Sequence, residues 1–287
     1  MSNPPNSDQT QAAPPVCYRH PGRPTYVSCV RCGRPACPDC LRPAAVGHQC
    51  VECIRGGNRT VRRPAGRFGG AISSQARVTW TLVGINVVLY IVMLAHSSLQ
   101  KDWEIYAYGV AQGQWYRVLT SAFLPPGSGL GLLDIAFNMW ALIIVGPALE
   151  RQLGWLRYLA VYVVSAIGGS VSFIFLAPPG QGALGASGAI FGLFGAWFVV
   201  ARRLGLDARG VVFLIVINLA LGFVIPGIAW QAHIGGLVTG AVLTAAYAYA
   251  PRERRTAIQL GATVGVLALL ALGVIIRDHQ LAGAVLA

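Results

Sequence analysis

Runs of about 20 apolar residues recur from Val78 to the C-terminus, and each is long enough to cross the hydrocarbon core of a bilayer. The apolar residues in these runs are continuous rather than alternating, which is typical of membrane helices and not of a membrane β-barrel. Only 11% of the 287 residues are charged, far below the roughly 25% of a soluble globular protein. The sequence therefore predicts an all-α polytopic membrane protein.

We predict seven membrane spans, at residues 78–95, 131–149, 155–176, 186–201, 210–225, 231–250 and 257–276. Arginines are concentrated before span 1 and in the connections from span 2 to 3, from span 4 to 5 and from span 6 to 7. Basic residues are retained on the cytoplasmic side of a membrane, which predicts a cytoplasmic N-terminus and an extracytoplasmic C-terminus. The connection 96–130 is rich in aromatic residues, and we expect it to lie in the outer headgroup layer.

Composition divides the chain into five segments. Residues 1–15 are polar and Pro-rich and are expected to be disordered. Residues 16–55 contain all seven cysteines, and residues 56–77 form a basic linker rich in Gly and Arg. Residues 78–250 hold a core of six spans, and residues 251–287 hold the seventh span and a short tail. The first 77 residues contain no apolar signal sequence, so we expect the N-terminus to stay in the cytosol.

The cysteine-rich segment has the spacing of a zinc-binding module. Its candidate ligands form four pairs, each separated by two residues: Cys17 and His20, Cys29 and Cys32, Cys37 and Cys40, Cys50 and Cys53. Such a pair lets one turn present two ligands to a tetrahedral ion. We predict about two structural zinc ions, with the first and third pairs holding one ion and the second and fourth pairs the other. His48 remains as an alternate ligand.

An odd number of cysteines in a reducing compartment favours zinc over disulfides. The spacing resembles that of B-box-type zinc fingers. A structural role, or docking of a cytosolic protein partner, is the simplest interpretation of such a module. Nucleic-acid binding by the adjacent basic linker is less favoured, because basic residues beside a first span are explained by membrane topology alone.

Three polar residues are predicted to lie at one depth in the membrane. Asn138 lies near the start of span 2, Ser187 opens span 4 and His233 opens span 6, and all three spans run from outside to inside. Polar groups within a bilayer are costly and often functional. Ser187 alone is better explained by helix packing, because small residues surround it. Glycines that follow Ser187 and His233 would allow their two helices to pack closely, which would bring the hydroxyl and the imidazole within hydrogen-bond distance. An imidazole that accepts the serine proton turns the hydroxyl into a nucleophile.

These residues resemble the motifs of the rhomboid intramembrane serine proteases. The motifs are Gly185-Ala-Ser-Gly188, Ala232-His-Ile-Gly-Gly236 with Gly240, Phe137-Asn138, and Trp115-Tyr-Arg117. The resemblance covers roughly residues 78–250 and implies a six-helix rhomboid core, followed here by a seventh helix. It implies Ser187 as nucleophile, His233 as general base and Asn138 as an oxyanion donor beside the Ser187 backbone N–H, with no cofactor for catalysis. It also implies that Phe191 packs on the histidine and that Arg117 supports the first loop.

Asp134 departs from the family pattern, which commonly has a histidine four residues before the span-2 asparagine. We favour a carboxyl that points away from the site toward the outer water. The alternatives are a protonated carboxyl and a third triad member that orients His233.

The leading functional hypothesis is a serine endopeptidase that cleaves single-span membrane proteins near the outer end of their transmembrane helix. A non-proteolytic rhomboid-like protein that binds membrane partners is the alternative. A transporter is disfavoured because the spans show no charged pathway and no inverted repeat. A metalloprotease is disfavoured because the sequence contains no His-Glu-x-x-His motif. Few lysines among many arginines suggest a bacterial origin, and the cell membrane is the expected location.

Overall fold

The structure is a computed structural model that describes residues 13–60, 66–71, 75–125 and 131–285. Most of the segment predicted to be disordered, residues 1–15, falls outside these ranges. The chain divides into two compact units, residues 1–63 and residues 64–287. The division falls inside the predicted linker 56–77, and the other predicted segment boundaries stay predictions.

The first unit contains little regular structure. Strands β1 (Val16–Cys17) and β2 (His20–Pro24) pair antiparallel, as do β3 (Leu41–Pro43) and β4 (His48–Cys50). A single 3-10 turn covers Pro38–Cys40, and helix α1 covers Val51–Thr60. The buried apolar cluster of this unit consists mostly of cysteine side chains with Ala36 and Leu41. A core of this size is too small to hold a fold by itself, so cross-linking by metal or disulfide is needed.

The second unit is helical. Its first five helices are α2 (Arg77–Ala95), α3 (Ser98–Trp103), α4 (Ala107–Ala111), α5 (Arg117–Thr120) and α6 (Gly131–Leu153), with a 3-10 turn at Ser121–Phe123. The remaining helices are α7 (Trp155–Leu176), α8 (Ser187–Leu204), α9 (Arg209–Val224), α10 (Trp230–Tyr249) and α11 (Arg255–Val285).

A helix lies at each of the seven predicted spans, which confirms the prediction of a polytopic all-α protein. In the described ranges, five helices are long and apolar enough to cross a membrane: α2, α6, α7, α8 and the Arg255–Leu281 part of α11. Helix α9 is apolar but shorter, with 16 residues. Helix α10 has 20 residues, and its Gln231, His233 and glycines make it less apolar. Helix α11 continues to residue 285, well beyond the predicted end of the seventh span at residue 276.

Helices α7 and α8 lie at the centre of the bundle with α10. In the apolar 18-residue stretch of α7, and also in that of α8, 61% is buried inside the protein, against 11% in that of α11. The approach of α10 to α8 is close because glycines face each other. A Cβ on Gly236 would overlap the backbone of Gly188, and a Cβ on Gly240 would overlap the backbone of Gly192. This arrangement brings the N-terminal turns of α8 and α10 together.

The first loop of the second unit folds into the short helices α3, α4 and α5, and Arg117 holds these together. The Arg117 guanidinium is buried, donates to the carbonyls of Lys101 at 2.7 Å and Glu104 at 2.8 Å, and lies over the ring of Tyr106. Ile105 pairs through its backbone with Ala183, with N–O distances of 3.0 and 2.9 Å. The loop therefore supports the segment that leads into α8.

A buried carboxylate joins α6 to α2. Glu150 is 1% exposed and accepts hydrogen bonds from the backbone N–H groups of Val78 at 3.1 Å and Thr79 at 2.9 Å, and from the Thr79 hydroxyl at 2.9 Å. The first N–H groups of a helix have no partner within the helix, and a negative charge there is favourable. Glu150 therefore fixes the beginning of α2 against the end of α6.

Candidate active site and metal centres

Ser187 is the first residue of α8 and follows a strained turn. Gly185 has φ of 145°, a conformation that residues with a Cβ rarely adopt. Its backbone N–H donates to the Ser121 carbonyl at 2.9 Å. The turn therefore places the Ser187 hydroxyl beside the free N–H groups at the positive end of a helix.

His233 lies in the first turn of α10 and contacts Ser187 directly. Its Nε2 atom is 2.8 Å from the Ser187 Oγ atom, a good hydrogen-bond distance, and the residue is 6% exposed. The Phe191 ring stacks on the imidazole with centroids 4.2 Å apart and planes 9° apart. The ring is thus held in one orientation, and its Nε2 can accept the proton of the serine hydroxyl.

Asn138 lies on α6, two turns from its beginning, and is 7% exposed. Its side-chain Nδ2 donates to Asp134 Oδ2 at 3.0 Å. The amide that would stabilise an oxyanion is therefore bound to a carboxylate one turn earlier in the same helix. An amide nitrogen carries two N–H groups, so this bond leaves the second one available to an oxyanion.

Asp134 does not point away from the site, which differs from our favoured interpretation of the sequence. Its Oδ2 atom accepts from Asn138, and a Cβ built on Gly185 would lie 3.9 Å from Asp134 Oδ2 and 3.4 Å from Ser187 Oγ. In the described part of the chain, His233 Nδ1 has no hydrogen-bond partner, so the geometry gives no support to Asp134 as a third triad member.

A small cavity of about 20 Å³ lies beside Ser187, large enough for about one water molecule. The hydroxyls of Ser121 and Ser170 line it and are 3.4 Å apart. Sequence reasoning did not single out either serine. The only available signal was their small, polar side chains in otherwise apolar segments.

The described part of the first unit contains two clusters of four candidate metal ligands. One holds Cys17, His20, Cys37 and Cys40, and the other holds Cys29, Cys32, Cys50 and Cys53. In each cluster the ligand atoms all lie within 4.8 Å of one another. These are the groupings predicted from the sequence, first pair with third and second pair with fourth. His48 is exposed and belongs to neither cluster.

The distances within the clusters fit zinc. A tetrahedral ion with Zn–S bonds of about 2.3 Å separates its sulfur ligands by about 3.8 Å. Cys32 Sγ and Cys50 Sγ are 3.8 Å apart, and His20 Nδ1 is 3.4 to 3.7 Å from the three sulfurs of its cluster. These separations are far too long for a disulfide, in which the sulfurs are about 2.05 Å apart. The clusters could therefore each hold one zinc ion.

The backbone of the module also favours thiolate ligands. The Cys50 N–H donates to Cys29 Sγ at 3.2 Å, and this bond is the main reason that the pKa of the Cys29 thiol is lowered to about 6, against the opposing effect of burial. The thiolate is the form that binds metal.

The second unit is similar to known proteins. Residues 112–250 match the rhomboid domain family. Rhomboid protease GluP of Bacillus subtilis (strain 168) is 35% identical over 180 residues, which cover 58% of this chain and 34% of GluP. The rhomboid homologue YdcA of the same organism is 35% identical over 163 residues, covering 54% of this chain and 80% of YdcA. Rhomboid-type serine protease 2 of Emericella nidulans is 32% identical over 157 residues, covering 52% of this chain and 30% of the fungal protein.

The chain thus spans about a third of the length of GluP and of the fungal relative, but most of YdcA. The rhomboid match contains both Ser187 and His233, and two helices outside it, α2 and α11, are long and apolar enough to cross a membrane. Taken together, the coverage of YdcA, the helical bundle and the matched domain establish that this chain is a multi-pass membrane protein that belongs to the rhomboid family.

Proposed function

We propose that this protein is an intramembrane serine endopeptidase that uses a Ser187–His233 dyad. The observation that carries the proposal is the 2.8 Å contact between Ser187 Oγ and His233 Nε2 at the beginnings of two helices. The names of the relatives, which include rhomboid protease and rhomboid-type serine protease, support the same activity.

In the first step, Ser187 Oγ attacks the carbonyl carbon of the scissile peptide bond while His233 Nε2 accepts the hydroxyl proton. The negative charge that develops on the carbonyl oxygen faces the N–H groups at the beginning of α8, including that of Ser187. Donors that are already oriented toward such an oxygen stabilise the transition state, and losing one typically costs about 10²–10³ in kcat. The histidine then gives its proton to the departing amine, which leaves an acyl-enzyme.

In the second step, water attacks the acyl-enzyme, and His233 again accepts a proton and returns it to Ser187. The acyl fragment takes the hydroxyl of this water and leaves as a carboxylic acid, which ionises in solution. Ser187 opens a helix rather than lying at its middle, so water reaches the reacting atoms from one membrane surface.

We further propose that the substrates are single-span membrane proteins cut near the outer end of their transmembrane helix. A peptide bond within a stable helix is inaccessible, and helix-weakening residues such as glycine lower the cost of unwinding at the cut site. The arginine distribution supports a cytoplasmic N-terminus and an extracytoplasmic C-terminus. A bacterial cell membrane fits this topology and the arginine-rich composition.

For the first unit we propose two structural zinc ions, held by the ligand clusters described above. When bound, each ion cross-links two turns that the small core of the unit does not hold. The module then presents a rigid cytosolic surface, to which a protein partner can bind.

An activity-based fluorophosphonate probe tests the dyad directly. In proteoliposomes we expect the wild-type protein to be labelled and Ser187→Ala to lose the label completely. His233→Ala should label at least about 100-fold more slowly, because the hydroxyl loses its base. Thr244→Ala, a buried hydroxyl of α10, is a matched control and should label normally.

The alternative is a rhomboid-like protein that binds membrane partners without cutting them. The Asp134 carboxyl beside the predicted oxyanion donor Asn138 favours this alternative, because a negative charge there would repel a developing oxyanion. Absence of labelling in a folded wild-type protein, at several pH values, would support this alternative and refute the protease. Proteomic comparison of shed ectodomains between wild type and Ser187→Ala then tests the proposed class of substrate.

A further inference from the structure

The second unit contains a large basic cavity at the end of the bundle opposite Ser187. Its volume is about 560 Å³, and its lining includes Arg67, Phe68, Arg203, Tyr249, Arg252 and Arg255. The cavity lies where α8 and α10 end and α11 begins. It has no part in the proposed proteolytic chemistry.

Among the residues that the structure describes, the four arginines of this cavity have no acidic partner. Both salt bridges found among the described residues lie in the first unit, and no aspartate or glutamate lines the cavity. Like charges gathered around one space repel each other unless an anion lies between them. The positive-inside rule requires basic residues on this side of the membrane, but it does not require them to surround a cavity.

Two of these arginines are already held in place. The Arg203 guanidinium lies over the Tyr249 ring, 5.3 Å from its centroid. Arg255 donates from Nη1 to the Arg67 carbonyl at 3.5 Å, while its buried Nε has no hydrogen-bond partner in the described part of the chain. Contacts within the protein therefore already orient both of these side chains.

The beginning of α11 adds to the positive potential. Arg255 is its first residue and lines the cavity, so the positive end of a long helix lies beside the cavity, as at many phosphate sites. The ends of α8 and α10 contribute partial negative charge, which offsets only a small part of four full positive charges. The balance strongly favours an anion.

The depth of the cavity indicates where the anion comes from. Helix α8 has 18 residues between Ser187 and Leu204, a length of about 27 Å at 1.5 Å per residue. This is close to the roughly 30 Å thickness of the hydrocarbon core. With Ser187 near one membrane surface, the cavity lies in the headgroup layer of the opposite surface. The arginine distribution identifies that opposite surface as the cytoplasmic one.

We propose that this cavity is a binding site for an anionic phosphate ester, and that a phospholipid headgroup supplies it. Arginine binds phosphate oxygens through paired N–H groups, and the exposed Tyr249 ring offers apolar surface for the glycerol and the upper acyl chains.

The test uses the full chain in neutral detergent and water-soluble, short-chain lipids. Binding of dihexanoyl phosphatidylglycerol is measured by native mass spectrometry over a concentration series, with dihexanoyl phosphatidylcholine and inorganic phosphate as separate arms. We expect Arg203→Gln and Arg252→Gln each to weaken phosphatidylglycerol binding about fivefold. Arg202→Gln is the matched control, since it removes the same charge from the same turn of α8 but does not line the cavity, and it should change binding less than twofold.

Inorganic phosphate that binds with the same dependence on Arg203 and Arg252 would support the phosphate site and assign it to a soluble source. Equal losses in Arg203→Gln and Arg202→Gln would overturn the proposal, because binding would then follow net charge alone. Binding of neither anionic probe to the wild-type chain would also overturn it. Thermal unfolding of each variant in detergent identifies any that are misfolded, and Arg252→Gln, in an exposed connection, keeps the test available if Arg203→Gln does not fold.

Discussion

The glycine contact between α8 and α10 makes a sharp prediction about Gly236→Ala. The added Cβ would lie 2.7 Å from the Gly188 carbonyl carbon and 3.2 Å from its Cα atom. The Gly188 carbonyl oxygen lies closer still to the added Cβ. Carbon atoms in contact prefer separations of about 3.5–4.0 Å, so the two backbones must separate by at least about 0.8 Å. Gly188 follows Ser187 directly and Gly236 is one turn from His233, so the separation acts on the reacting pair itself.

A displacement of this size breaks the contact between nucleophile and base. The Ser187 Oγ–His233 Nε2 distance would rise from 2.8 Å to about 3.6 Å, a separation at which no hydrogen bond remains. Misplacement of catalytic groups by about 1 Å can cost about 100-fold in rate. We therefore expect Gly236→Ala to react with a fluorophosphonate probe about 100-fold more slowly than wild type.

The assay compares labelling rates of purified proteins in proteoliposomes, with thermal unfolding as a test of folding. Gly265→Ala in α11 is the matched control, because a Cβ there meets nothing within 4 Å among the described residues, and it should label at the wild-type rate. A folded Gly236→Ala protein that labels as fast as wild type would refute the argument that helix separation sets the dyad geometry.

Three further outcomes are expected. Glu150→Ala leaves three donors at the start of α2 without their acceptor and should lower the free energy of unfolding in detergent by about 3 kcal/mol. Glu150→Gln keeps one side-chain oxygen and should lower this free energy by less. An alanine variant as stable as wild type would contradict the prediction. Asp134→Asn removes a negative charge beside Asn138 and should raise the rate of fluorophosphonate labelling about tenfold; an unchanged or lower labelling rate would contradict this. Cys29→Ser should reduce bound zinc from about two ions per chain to about one, measured by elemental analysis of the purified protein, and unchanged zinc content would exclude Cys29 as a ligand.

The positions of the spans could be predicted because the bilayer imposes them. A segment that crosses hydrocarbon must be apolar over about 20 residues and helical, so the runs that begin near Val78 identify α2 and the later helices directly. The common depth of Ser187 and His233 follows from the same arithmetic. Their catalytic roles stay predictions until the labelling experiments are done.

The orientation of Asp134 could not be predicted, because it depends on where the Asn138 amide and the Gly185 turn lie after the helices pack. Glu150 and the basic cavity were missed for a related reason. The buried carboxylate meets Val78 and Thr79 from 71 or more residues away in sequence. The cavity joins Arg67 to helix ends more than 130 residues further along the chain. Neither the Glu150 hydrogen bonds nor the cavity produces a pattern in the local sequence.

The separation of the dyad along the chain has a consequence for biosynthesis. Ser187 and His233 are 46 residues apart, and α9 is made between them. At about 5–20 residues per second, a ribosome needs roughly 2–9 s to pass from one residue to the other, and α10 must still insert afterward. During this interval the nascent polypeptide carries a hydroxyl that has no partner to activate it. Under the proposed mechanism, a chain whose translation stops before α10 lacks His233 and therefore cannot cleave the newly made membrane proteins around it.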